Sequence, residues 1–114
     1  MTKLTLSVLL FLFGQTLIWF QTNGQFIWKW FDKNPLILSI VGGSTISYAF
    51  ILATRYAYDH FDGLLWPGRF LGFALGISSY ALLTWWFMGE GISLKTFTSL
   101  ILSAGIICVQ LFWK

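Results

Sequence analysis

Charge is scarce in this sequence. Lys and Arg number seven and Asp and Glu four among 114 residues, so charged side chains make up only 10% of the chain. A soluble domain of this size covers its surface with about a quarter charged residues, and the shortfall excludes an ordinary water-soluble fold. The net charge is +3, but the basic residues are scattered. Nucleic acid binding needs clustered Lys and Arg, so nucleic acid is not an expected partner. The lone cysteine, Cys108, excludes an internal disulfide and any cysteine-based metal site. Between Ile106, Ile107 and Val109 it reads as a small apolar packing residue. The lone histidine, His60, stands beside Asp59 and Asp62, too small a set to ligate a metal convincingly. There is no Ser-His-Asp arrangement, phosphate loop or haem-ligating histidine within an apolar run. Neither a metal, nor a cofactor, nor an enzymatic activity is expected.

What the chain has instead is apolar length. Hydrophobic residues make up 57% and aromatics 20%. They fall into runs of about 20 residues, the length that carries an α-helix across a hydrocarbon core of about 30 Å. The sequence predicts four such spans, over about 4–20, 35–56, 64–88 and 92–113, in one domain covering 1–114. The fold class expected is therefore all-α integral membrane, a four-transmembrane-helix bundle with short connections. The first run has only Lys3 in front of it, is too long for a signal peptide and lacks a small-x-small cleavage site after it, so it reads as a retained span. A closed β-barrel is excluded because these runs do not alternate polar and apolar residues. The mixture Phe26-Ile27-Trp28-Lys29-Trp30-Phe31-Asp32-Lys33 suits a headgroup region, and Asn34-Pro35 reads as a cap and first turn of the second span. Gly89-Glu90-Gly91 reads as a tight turn. Asp59, His60 and Asp62 are expected in an interfacial cluster with Arg55 and Arg69, and Arg55 and Asp59, four apart, share one helical face if the helix continues that far.

Lys3, Arg55, Arg69 and Lys114 fall on one side of the predicted topology and Lys29, Lys33 and Lys95 on the other. Lys/Arg bias normally fixes orientation. A near-even balance suits insertion both ways round, the alternative being one orientation imposed by a partner.

Inside the spans, small and weakly polar residues recur at helical spacing. Gly68, Gly72 and Gly76 form a ridge in the third span that continues to Ser79 and Tyr80, and such a ridge lets another helix approach closely. Whether it packs within or between chains is open from sequence. The second span carries Gly43, Ser44, Ser47, Tyr48, Thr54 and Arg55 along one face, and the fourth carries Thr96, Ser99, Ser103 and Gln110, with Ser99 and Ser103 read as packing positions. The first places Ser7, Phe11, Gln15 and Trp19 together. Gln15 is an amide deep in a span whose donors and acceptors need partners, as an interhelical hydrogen bond or as a contact in a polar pathway.

Four short motifs, in this order and spacing, resemble the small four-helix branch of the drug/metabolite transporter superfamily, which includes the small multidrug resistance transporters and small flippase subunits for aminoarabinose-lipid carriers. They are Gly14-Gln15, Gly63-Leu64-Leu65-Trp66-Pro67, Gly89-Glu90-Gly91-Ile92-Ser93-Leu94-Lys95 and Ser103-Ala104-Gly105. The multidrug members carry their coupling glutamate where Gln15 stands, and flippase-like members often have Gly-Gln there. Gln15 cannot lose a proton, so proton-coupled antiport does not carry over. The resemblance implies a bacterial-type inner (plasma) membrane and a dimer with its binding site near the midplane between related halves.

The function expected is a small transporter or flippase-like protein, acting as a homodimer in the lipid bilayer. Gln15 is the expected polar contact, with Trp19, Tyr48 and Tyr80 as aromatic walls, for an amphipathic organic cation or a lipid-linked headgroup. The alternative is an accessory subunit docked on larger membrane subunits, with the glycine ridge and the seven tryptophans as docking and lipid-interface features.

Overall fold

The computed structural model describes residues 2–113. Helix α1 spans Lys3–Asn23 and passes through a 3-10 turn at Gly24–Phe26 into a short helix α2, Lys29–Lys33. Helix α3 spans Pro35–His60 and α4 Trp66–Leu83, the latter continued by one π-helical turn at Thr84–Met88. Helix α5, Leu94–Phe112, completes the described chain. Four of these segments are long and apolar enough to cross a membrane, and the described residues contain no strand. The protein is an all-α, four-helix integral membrane bundle with short connections.

The helices match the expected spans at Pro35 and Met88 and differ at most other boundaries, for identifiable reasons. Hydropathy marks depth in the membrane, whereas hydrogen bonding decides where a helix stops. Helix α1 continues past Phe20 because its polar end is satisfied locally: the Thr22 hydroxyl donates to the Ile18 carbonyl at 2.8 Å, and the Gln21 amide donates to Leu38 O on α3 at 2.9 Å. Helix α3 runs on from Tyr56 through His60. It stops where Asp62 (φ 58°) and Gly63 (φ 81°) turn left-handed and the Gly63 N–H closes onto Tyr58 O at 2.8 Å. That turn delays α4 from Leu64 to Trp66. Helix α5 starts at Leu94 rather than Ile92 because Ser93 caps it, its hydroxyl accepting from the Thr96 N–H at 3.2 Å. Asn34 stands at the N-cap of α3 without a side-chain cap bond; its amide instead donates to Trp30 O at 2.7 Å, tying α2 to the start of α3. The 3-10 turn and α2 hold the interfacial aromatics predicted from composition, with Trp28 and Phe31 rings 5.2 Å apart.

Helix α1 is the spine of the bundle, packed between α3 and α4, which meet each other less extensively. Its buried residues are Ser7, Phe11, Gly14 and Trp19. Three of the four residues expected on one face of α1 are therefore buried, and Gln15, the fourth, is half-buried. Opposite them α3 presents Ile46, Ala49, Ala53 and Ala57, all buried. The small alanines bring the backbones close enough for the Ser7 hydroxyl, fully buried, to donate to Ala53 O at 2.8 Å. With lipid outside, no hydrophobic gain separates inside from outside, so close packing of this kind carries the association.

The glycine ridge of α4 packs within the chain. A Cβ at Gly68 would stand 3.0 Å from the Ala57 Cβ, one at Gly72 3.1 Å from the Phe11 ring, and one at Gly76 2.9 Å from the Gln15 amide. Helix α5 packs on α4 and has no fully buried residue. Ser103 is half-buried on its inner face with Leu100 and Ile107, while Ser99 and Cys108 are exposed.

The charged end of the molecule differs from the sequence expectation. Arg55 and Asp59 lie on one continuous helix, but Asp59 pairs with Lys3 of α1, Nζ to Oδ2 at 3.5 Å. That is the one ion pair among the described residues, so in the expected cluster of Asp59, His60 and Asp62 with Arg55 and Arg69 neither arginine pairs with an acid. Lys3 is reached from the neighbouring helix, a distance of 56 residues in sequence that spacing along one helix cannot reveal. The pair is 59% and 43% exposed, and exposed pairs contribute about 0.2–1 kcal/mol. Asp59→Asn is expected to lower the unfolding midpoint in detergent only slightly, and less at high salt; a large, salt-independent drop would mean Asp59 does more than pair with Lys3.

Candidate functional site

The site begins with one amide. Gln15 lies on α1 twelve residues after Lys3, about 18 Å along the helix at 1.5 Å per residue. This puts it well inside the membrane-spanning stretch. Its Nε2 donates to Gly72 O across the α1–α4 interface at 3.4 Å, a long and weak bond. The absence of a side chain at Gly76 makes the room in which the amide sits. The glycine ridge thus does two things: it closes the helices at Gly68 and Gly72, and it seats Gln15 at Gly76.

Two cavities adjoin this amide and share Gln15 and Arg69 in their walls. The larger, 560 Å³, is lined along α4 by Trp66, Arg69, Phe70, Phe73, Gly76, Ile77 and Tyr80. The smaller, 280 Å³, lies toward α3 and is walled by Phe11, Phe50, Thr54, Leu65, Gly68 and Gly72 in addition to the shared pair. Small-molecule sites commonly enclose about 300–1,000 Å³ with apolar and aromatic walls and a few polar groups. Here the polar groups are the Gln15 amide, the Arg69 guanidinium, the Thr54 hydroxyl and the Tyr80 phenol. Arg69 belongs to the first turn of α4, whose N-terminal end carries positive partial charge and gives the guanidinium no counter-charge. Phe11 and Phe50, with ring centroids 5.9 Å apart, form the aromatic floor toward α3.

The four residues expected around a pathway are separated by the fold. Gln15 and Tyr80 share the larger cavity. Tyr80 also borders a third cavity of 190 Å³ between α4 and α5, where Thr84, Glu90, Thr96, Ser99 and Ser103 contribute. Trp19 lines none of these three cavities. It is 2% exposed, donates from Nε1 to the Thr84 hydroxyl at 3.0 Å and packs on the rings of Phe20 and Phe87 at 5.3 and 5.7 Å. It fastens α1 to the π-helical end of α4. Tyr48 is 67% exposed, on the face of α3 turned away from α1.

Sequence reasoning missed Arg69, Thr54, Trp66 and Phe73 as cavity residues. A signal for Arg69 was present: it stands three residues before Gly72 and seven before Gly76, on the same α4 face. Among the described residues no three His, Cys, Asp or Glu side chains converge on a point that could hold a metal. Comparison with protein-family models, with curated proteins and with solved structures finds no match.

Proposed function

We propose that this protein moves an amphipathic molecule, a small organic solute or a lipid-linked headgroup, across or within the bilayer, and that it works as a homodimer. The observation that carries this reading is the Gln15 amide held at depth beside an open groove of 560 Å³ edged by aromatics. A polar group inside a span is expensive and is kept for an interhelical bond or for a pathway. Gln15 gains only one long bond from the rest of the described chain, which leaves its carbonyl oxygen and second N–H for a passing ligand. The motif resemblance to small four-helix transporters agrees with this placement. Helix α5 supports the dimer: it packs on α4 and keeps no residue buried, so a face containing Gly105, around which nothing lies within 4 Å of a would-be Cβ, remains for a second helix. The same free face suits the second reading, an accessory subunit docked on a larger membrane chain.

Two measurements separate these readings. Intact-complex mass spectrometry after gentle extraction from the native membrane is expected to show a homodimer without other chains; a fixed ratio to larger subunits would support the accessory role instead. In proteoliposomes, translocation of a headgroup-labelled fluorescent lipid, read by dithionite quenching, is expected to exceed that of protein-free vesicles. Gln15→Ala should lower the protein-dependent rate at least fivefold. An unchanged rate in that variant removes Gln15 from the pathway.

A further inference from the structure

The charge inside the groove decides which amphiphile fits. The sequence left an amphipathic organic cation and a lipid-linked headgroup both open. The fold brings Arg69 into both cavities that flank Gln15. All four acidic side chains of the chain, Asp32, Asp59, Asp62 and Glu90, lie among the described residues, and none pairs with Arg69. The guanidinium therefore stands exposed in the first turn of a membrane-spanning helix with no protein counter-charge, at the open edge of a groove beside Trp66, Phe70 and Phe73. An arginine there needs an anion or water for its five N–H donors.

We infer that the groove takes an anionic headgroup, of the phosphate class, with its apolar tail against the aromatic side of α4. This rests on the transporter reading above and narrows its substrate. Three features converge on an oxyanion. Arg69 offers a planar fork that matches phosphate geometry and binds it in bidentate fashion. The Thr54 hydroxyl, in the wall shared with Arg69, and the Gln15 amide each have an N–H or O–H to donate. No carboxylate lines either cavity, so the site offers a cation no full counter-charge, while Arg69 repels it. The layout along α4 adds a direction. Arg69 lies about 5 Å along the helix from Trp66 and Gly76 about 15 Å from it, at 1.5 Å per residue. The charged contact is thus near the membrane surface and the amide deeper. A headgroup would meet Arg69 first and reach Gln15 as it moves inward, with its tail beside Trp66, Phe70, Phe73 and Ile77. The guanidinium's ordinary alternative is to snorkel into bulk headgroups without selecting any, and the test is built to tell the two apart.

The experiment measures binding of dodecyl phosphate and of dodecyltrimethylammonium to the purified protein in a neutral maltoside detergent, through quenching of tryptophan fluorescence. Dodecyl phosphate is expected to bind at least tenfold more tightly than the cation. Arg69→Gln should erase that preference, Arg69→Lys should retain part of it, and Arg55→Gln, which removes a second exposed arginine from the same end of the bundle, should change affinity less than twofold. Competition with inorganic phosphate identifies the source of the anion. Displacement at millimolar concentration assigns the site to the free anion, and no displacement assigns it to a headgroup that needs its tail; both outcomes uphold the inference. Equal loss in the Arg55 and Arg69 variants shows bulk attraction and overturns it, as does tighter binding of the cation. Helical content by circular dichroism confirms that each variant is folded, and the conservative Arg69→Lys carries the result if Arg69→Gln is not. If the cation binds better and Gln15→Ala weakens it, the anion class falls and the transport reading stands. If dodecyl phosphate binds through Arg69 while vesicles show no lipid translocation, the reverse holds.

Discussion

Replacing Trp19 by Ala is expected to destabilise the bundle more than any other single side-chain truncation, by about 2–3 kcal/mol. Trp→Ala in a water-soluble core removes about 3–5 kcal/mol. In lipid the transfer part of that loss falls away, because the hydrocarbon outside is as apolar as the interior, and the packing and cavity part remains. Trp19 is the largest fully buried side chain. Its ring touches Phe20 edge-on at 5.3 Å and Phe87 at 5.7 Å, and Phe20 and Phe87 meet at 5.2 Å, so removing it unseats a three-ring cluster. The indole N–H also bonds the Thr84 hydroxyl at 3.0 Å, at the position where α4 widens into its π-helical turn. Trp19→Phe keeps most of the packing and loses the bond, and is expected to cost about 1 kcal/mol. Thr84→Val should lose a similar amount, and the double substitution should lose little more than either alone, since both delete the same interaction. Unfolding in mixed micelles, followed by near-ultraviolet circular dichroism, reads all four. Additive losses in the double variant would mean that the Trp19–Thr84 bond contributes nothing as a pair.

Small size, more than polarity, marks the inside of this membrane bundle. The spans were legible from apolar length alone, and so was the α1 face of Ser7, Phe11, Gln15 and Trp19, because its residues repeat every four positions. The inner face of α3 was not. The face that polarity marked, Gly43, Ser44, Ser47, Tyr48, Thr54 and Arg55, is not the packed one: α3 buries Ile46, Ala49, Ala53 and Ala57. Hydroxyls in a helix satisfy themselves on the carbonyl four residues back: Ser39 on Pro35 O at 2.8 Å, Ser44 on Ile40 O at 2.7 Å and Thr45 on Val41 O at 3.1 Å. A self-satisfied serine has no need of the interior and is free to face lipid. Small size is the better marker, since it alone permits backbones to approach, and Ala49-Ala53-Ala57 carries the same four-residue repeat as Gly68-Gly72-Gly76.

The same distinction explains the site. Gln15 was legible because an amide carries more hydrogen-bonding groups than its own helix can satisfy. Arg69 was legible as a charge but not as a wall of the groove, since its role depends on which helix stands opposite. Only the docking of α1 against the Gly68–Gly76 ridge places the guanidinium and the amide beside one cavity. Tyr80 could be placed by its spacing of four from Gly76. Trp19, on the α1 face that holds Gln15, was drawn away from the groove by Thr84, a partner 65 residues distant.

That docking is itself open to test, and Gly68→Ala is the sharpest probe of it. The Gly68 position faces the Cβ of Ala57, and an added Cβ would stand 3.0 Å from it. Both atoms are fixed by their backbones, so no rotamer relieves the clash and α4 must move away from α3. Overpacking of this kind costs about 1–3 kcal/mol. Gly76→Ala meets the far end of the Gln15 side chain instead, at 2.9 Å. A flexible amide can swing aside, so that variant should keep its stability while losing lipid translocation. Gly105→Ala meets nothing within 4 Å in its own chain and, in micelles dilute enough to hold single chains, should stabilise α5 by about 0.5–1 kcal/mol, the ordinary gain of Ala over Gly inside a helix. Unfolding midpoints of the three variants should therefore fall for Gly68, hold for Gly76 and rise for Gly105, with translocation lost in the Gly76 variant even though its fold holds. A Gly68 variant as stable as the Gly105 one would place the ridge against another chain rather than against α3. The cavity shared by Gln15 and Arg69 would then have to be rebuilt across two copies of the protein.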